Sequence, residues 1–91
     1  MRVTVRIHVH GRVQGVSFRA ALQQKAVDHG VVGWVRNSGD GSVEALLQGE
    51  KESVRLVTEW ARTGPPRASV ASFFEDRVDD HPALEGFSVL A

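Results

Sequence analysis

Val3, Val5, Ile7 and Val9 alternate with Arg2, Thr4, Arg6, His8 and His10, and this period of two predicts a half-buried strand at the start of the chain. From Phe18 the period changes. Phe18, Ala21, Leu22 and Ala26 recur at helical spacing, with Gln23, Gln24, Lys25 and Asp28 between them, so a helix is expected there. Ser17 is its expected N-cap and Gly30 its stop. A second strand is expected over Val31 to Asn37. Ser38-Gly39-Asp40-Gly41 then supplies a hairpin turn, and Ser42 to Gln48 returns with Val43, Ala45 and Leu47 on one face. Glu50-Lys51-Glu52-Ser53 opens a second helix with the inner stripe Val54, Val57, Trp60 and Ala61, which Gly64-Pro65-Pro66 ends. Ala68 to Glu75 is a fourth strand. Phe87 and Val89 mark a short fifth one after the turn-rich stretch Asp79-Asp80-His81-Pro82.

This β-α-β-β-α-β order with a short final strand predicts an α+β, ferredoxin-like fold. Two helices would cover the Val/Ile face of a mostly antiparallel sheet, leaving Arg6 and His8 near water on the other face. No linker, repeat or low-complexity segment divides the chain, so residues 1–91 are expected to form a single domain. The order brings the segment after strand one and the Asn37 end of strand two close to strand ends. Whether they meet depends on register, which spacing alone leaves open.

Composition narrows the function classes. Eleven basic and eleven acidic residues cancel, so no global field attracts nucleic acid or anionic membrane, and any anion binding must be local. The chain has no cysteine, which excludes disulfides, thiolate metal sites and cysteine nucleophiles. The N-terminus enters a strand pattern without a continuous apolar run, so no signal peptide is expected, and no segment reaches the length of a membrane span. A cytoplasmic location and a monomeric state are the resulting expectations.

The strand-to-helix segment Gly11-Arg12-Val13-Gln14-Gly15-Val16-Ser17-Phe18-Arg19 carries the candidate chemistry. Glycines at both ends of a short loop let backbone N–H groups turn toward one point, and the loop feeds a helix N-terminus with unpaired donors. An arginine stands in the first helical turn. Alone, the loop is equally well a plain turn, whereas Arg19 alone is more often a solvated helix residue and Asn37 alone more often a turn residue before a hairpin. The loop lacks the Gly-Lys of a Walker motif and the third glycine of a dinucleotide fingerprint. His8 and His10 are same-face neighbours on a strand without an evident third metal ligand, so a solvated face is the better reading. Asp79-Asp80 lacks the spacing of a calcium loop. Ser17 has no partner to activate it as a nucleophile.

Three motifs in order carry a family resemblance. They are the loop above, Gly33-Trp34-Val35-Arg36-Asn37 followed by Asp40-Gly41-Ser42-Val43-Glu44, and Gly64-Pro65-Pro66-Arg67-Ala68-Ser69-Val70. With them the chain resembles the acylphosphatases over nearly its whole length. The resemblance implies metal-free, cofactor-free hydrolysis of a small-molecule acyl phosphate, with phosphate bound by Arg19 and the attacking water positioned by Asn37.

The residues suit that chemistry. A carboxylate leaving group needs no strong acid, and a loose transition state needs little base, so charge stabilisation and positioning remain. Arg19 offers a planar fork of donors, the amides of Val13, Gln14, Gly15, Val16, Ser17 and Phe18 offer a ring, and the Asn37 carboxamide both accepts and donates. Two other readings compete. A non-catalytic anion-binding module would use the same socket but has no need of Asn37. An RNA-recognition domain of this strand order would expose sheet aromatics, which strands one and three lack, and no nucleic-acid partner is expected.

Overall fold

A computed structural model describes residues 1–91. The elements run β1 (Arg2–Arg12), α1 (Phe18–Asp28), β2 (Val32–Asn37), β3 (Val43–Glu50), α2 (Lys51–Ala61), β4 (Ser69–Arg77) and β5 (Phe87–Val89). The sheet order is β4-β1-β3-β2-β5. All pairs are antiparallel except β2 with β5, which are parallel. The ferredoxin-like α+β arrangement is therefore the one adopted, with β4 beginning and ending slightly later than its sequence pattern suggests. No helix is long and apolar enough to cross a membrane.

The alternating face of β1 builds the core. Val3, Val5, Ile7 and Val9 pack with Val43, Ala45 and Leu47 of β3, under Leu22 and Ala26 of α1 and Val54, Val57 and Ala61 of α2. α1 ends as its sequence suggests: Gly30 N–H donates to Val27 and Val31 N–H to Ala26, a hydrogen-bonded reversal after the last turn.

The second face of the sheet leaves Arg6 exposed and His8 half-buried, as expected, but part of it is covered. Because β4 and β5 lie at opposite edges and the helices occupy one face, the chain from Val78 to Gly86 crosses the other. Thr4, Leu46 and Gln48 are buried there. Gln48 anchors the crossing segment. Its Nε2 donates to Thr4 Oγ1 (3.0 Å) and to the Pro82 carbonyl (3.0 Å), while its Oε1 accepts from Leu84 N–H (2.7 Å) and Arg2 (3.1 Å).

Beyond that crossing, polar groups neutralise one another. Glu44 is only 6% exposed, yet its carboxylate meets Arg36 at 2.5 and 2.8 Å, His8 at 3.5 Å and Arg6 at 3.9 Å. Pairing of a buried carboxylate with several donors offsets its desolvation. Arg36 also lies over the half-buried Trp34 ring at 5.4 Å. His10 sits with its Nε2 3.7 Å from Asp40 and its ring edge-on to Phe74. His8 and His10 thus face carboxylates and each other across 6.3 Å.

The β2–β3 turn is closed by Ser38 N–H to Ser42 C=O (2.8 Å) and by Gly41 N–H to Ser38 C=O (3.2 Å). Asp40 Oδ1 stiffens it, accepting from Ser42 Oγ (2.5 Å) and Ser42 N–H (3.0 Å). The Ser42 hydroxyl, then its amide, and the nearby His10 hold the Asp40 carboxyl below its ordinary range.

Two outcomes test this architecture. Gln48→Ala removes the bonds to Thr4, Pro82 and Leu84 at once and should lower unfolding free energy by about 2–3 kcal/mol. It should also speed hydrogen exchange at Leu84. An unchanged urea midpoint would mean the crossing segment is held by something else. For Asp40 the sign follows from a carboxyl whose folded value is depressed: its contribution is full above the unfolded value and is lost as pH falls through the folded one. Asp40→Asn should therefore be less stable than the parent above about pH 5 and converge on it toward about pH 2. Parallel urea curves across that range would remove the charge from the account.

Candidate active site

Between the end of β1 and the start of α1 the chain runs through Val13 to Ser17. Val13 and Val16 are buried and pin this run into the core. Between them Gly15 takes φ +74°, a left-handed conformation that glycine adopts without a Cβ penalty. Ser17 is also left-handed, at φ +64°. For an ordinary residue that conformation costs on the order of 1 kcal/mol.

Ser17 corrects an expectation. It stands at the N-cap position of α1, but its side chain caps nothing. Its carbonyl accepts the first helical bond from Ala21 N–H at 3.0 Å. Its left-handed backbone has a different consequence. Left-handed residues in a short loop swing successive amides toward one side, as in anion-binding nests. The amides of Gln14, Gly15, Val16, Ser17 and Phe18 donate to no other group of the protein.

Phe18 is fully buried and fixes the far end of the loop. Its ring lies 5.7 Å from that of Trp60 on α2. Gly64, at φ +70°, closes over it, and a Cβ there would stand 2.5 Å from the Phe18 ring. Gly64 therefore packs against the first residue of α1 as well as following the end of α2.

A cavity of about 360 Å³ opens beside the loop. Val13, Gly15, Ser17, Phe18, Arg19, Ala20, Asn37 and Val89 line it. Arg19 enters from the second position of α1. Its Nη1 donates to the Leu90 carbonyl at 2.8 Å, and Leu90 N–H is in turn tied to Val35 on β2. Asn37 enters from the last position of β2. Its Oδ1 is buried and has no hydrogen-bond partner. Residues 19 and 37 thus share one cavity rather than lying on opposite sides of the molecule.

Two of the loop residues singled out in the sequence do not turn their side chains to this cavity. Val16 belongs to the core. Gln14 reaches across to the β2–β3 turn, where Nε2 donates to the carbonyls of Ser38 and Ser42, each at 2.9 Å. Their backbone amides remain part of the loop. Sequence reasoning also missed Val89 and the Leu90 carbonyl. Nothing in the pattern signals that β5 pairs with β2 and so delivers the chain end to Arg19.

Comparison with known proteins shows the family. The Acylphosphatase family model matches residues 5–89. The chain is 47% identical to an acylphosphatase of Nitrosococcus oceani, over 98% of this chain and 99% of that one. It is 44% identical to an acylphosphatase of Thermococcus kodakarensis, over 98% and 97% of the two chains. The crystal structure of acylphosphatase from Bacillus subtilis superposes with a TM-score of 0.93 at 32% identity, covering 98% of this chain and 99% of that one. With sequence, motif order and fold in accord along nearly the whole length, this chain belongs to the acylphosphatase family.

Proposed function

We propose that the chain hydrolyses small acyl phosphates to carboxylate and inorganic phosphate, with Arg19 and the loop amides holding the phosphoryl group and Asn37 aiming the water. The observation that carries this reading is the shared cavity. Its lining includes Arg19, the loop residues Val13, Gly15, Ser17 and Phe18, and Asn37 with its buried, unpartnered Oδ1, which supports a single phosphoryl site.

The phosphoryl group of the substrate carries two negative charges. Arg19 offers a fork of N–H donors to two of its oxygens, and the amides of Val13 to Phe18 take the remaining one and the developing charge. Water donates a hydrogen bond to Asn37 Oδ1, which leaves an oxygen lone pair free to face phosphorus. The water oxygen bonds to phosphorus as the bond to the acyl oxygen breaks. The carboxylate departs with that electron pair, and the water's proton passes to the phosphate product. Carboxylate is a weak base, so the leaving oxygen needs no proton, and the donor set supplies the stabilisation without a metal ion. The chain acts as a monomeric single domain on a small-molecule substrate in the cytoplasm, without nucleic acid or cofactor. The balanced charge of the sequence supports this, because attraction for anions is then confined to the cavity.

Phosphate release from benzoyl phosphate is the test. The parent should turn over and keep its rate with a chelator present. Arg19→Ala should lose about two to three orders of magnitude, as when a main oxyanion donor is removed. Arg19→Lys should recover little, because a point charge replaces a planar fork. Asn37→Ala should lower kcat and leave competitive inhibition by inorganic phosphate intact. No release by the parent would leave a binding module. A rate abolished by chelation and restored by a divalent ion would reject the metal-free chemistry.

A further inference from the structure

Gln14 lies in the middle of the loop, yet its side chain does not face the cavity. We infer that Gln14 is a positioning residue: its carboxamide is the strut that sets the distance and orientation of Asn37 relative to the phosphoryl socket. This rests on the reading that Asn37 aims the water.

The geometry has three parts. The Gln14 Nε2 nitrogen carries two hydrogens, and it donates to the carbonyls of Ser38 and Ser42, at 2.9 Å each. Those carbonyls bracket the turn. Ser38 directly follows Asn37, and the Ser42 carbonyl also receives Ser38 N–H at 2.8 Å. One nitrogen held to two points of the hairpin fixes rotation as well as separation. No other side-chain hydrogen bond joins residues 13–17 to residues 37–43.

The sheet alone does not supply this constraint. Asn37 is the last paired residue of β2, opposite Val43, and beyond it the hairpin projects from the sheet. The loop likewise begins after the last paired residue of β1. β3 lies between β1 and β2, so the two segments that leave these strands are free to splay unless something crosses between them. A side chain of this length ending in a two-hydrogen donor suits them, because both targets are carbonyl oxygens. Glutamate would oppose them with lone pairs, and methionine would leave them only their backbone partners within the turn.

Gln14→Met keeps length and volume and removes both donors. With benzoyl phosphate it should lower kcat by tens of fold, up to about a hundredfold, as for a reacting group displaced by about an ångström. Inhibition by inorganic phosphate should be unchanged, because the socket amides and Arg19 stay in place. Gln14→Met/Asn37→Ala should be no slower than Asn37→Ala alone, because the strut acts only through Asn37. Gln14→Glu provides the second variant. It should be slow at neutral pH and gain rate relative to the parent in acid, as its carboxyl takes up a proton and becomes a donor. Urea midpoints of each variant restrict the kinetics to folded protein.

Multiplying losses in the double variant would overturn the inference, and so would phosphate inhibition that weakens in step with kcat. Full kcat in Gln14→Met beside a slow Asn37→Ala would overturn it while leaving the proposed function standing. Full kcat in Asn37→Ala would overturn both.

Discussion

The register of the three central strands is the constraint on which the rest depends. Val43 of β3 stands opposite Val9 of β1 on one side and Asn37 of β2 on the other. One position earlier on β2 and β1, and one later on β3, Glu44 joins Arg36 and His8. A slip of one residue would exchange the two faces. It would carry Asn37 away from the helices and α1, and it would drive the Arg36–Glu44–His8 cluster into the apolar core. The burial of Val9, Val35 and Val43 on one face and the ion pairing of Glu44 on the other therefore select the same alignment. The end of β2 then arrives beside the loop that follows β1, and the cavity forms between them.

Much of this was legible in the residues. The Val/Ile alternation of β1, the helical spacing of Phe18, Leu22 and Ala26, and the Asp40-Gly41 turn each specify local structure through short-range physics. The β-α-β-β-α-β order then leaves few ways to bury both helices. Arg19 and Asn37 were legible as candidates through motif order, and their meeting was not. It depends on register across β3, which is a property of three strands together and of no single segment.

The parts that escaped sequence reasoning share a cause. The crossing of Val78–Gly86 over the back of the sheet, the seat of Gln48 beneath it, and the delivery of Leu90 to Arg19 all follow from β4 and β5 lying at opposite edges. A three-residue strand such as β5 has too little pattern to reveal its partner. Ser17 escaped for another reason. Its residue type favours N-caps, and it does occupy that position. The left-handed backbone that distinguishes it is imposed by the buried Val16 and Phe18 on either side. Gln14 was legible as a loop residue but not as a strut, because its targets lie 24 and 28 residues away.

The proposed phosphate site draws its charge locally, because the chain as a whole has no net charge. Arg36 and Arg6 are drawn to Glu44, Arg55 to Glu52, and Arg62 to Glu59 and Glu75. Arg19 is held differently. Its protein acceptor is a neutral backbone carbonyl, that of Leu90, and it takes part in no ion pair. The contact orients the guanidinium without cancelling its charge, and it engages one of five N–H donors. A carboxylate in the same place would compete with an incoming dianion and raise the cost of binding it. The loop amides add donors without adding a mobile charge. Orientation by a neutral carbonyl leaves the Arg19 charge available in the cavity, while eleven acidic residues against eleven basic ones keep the molecule as a whole from attracting anions.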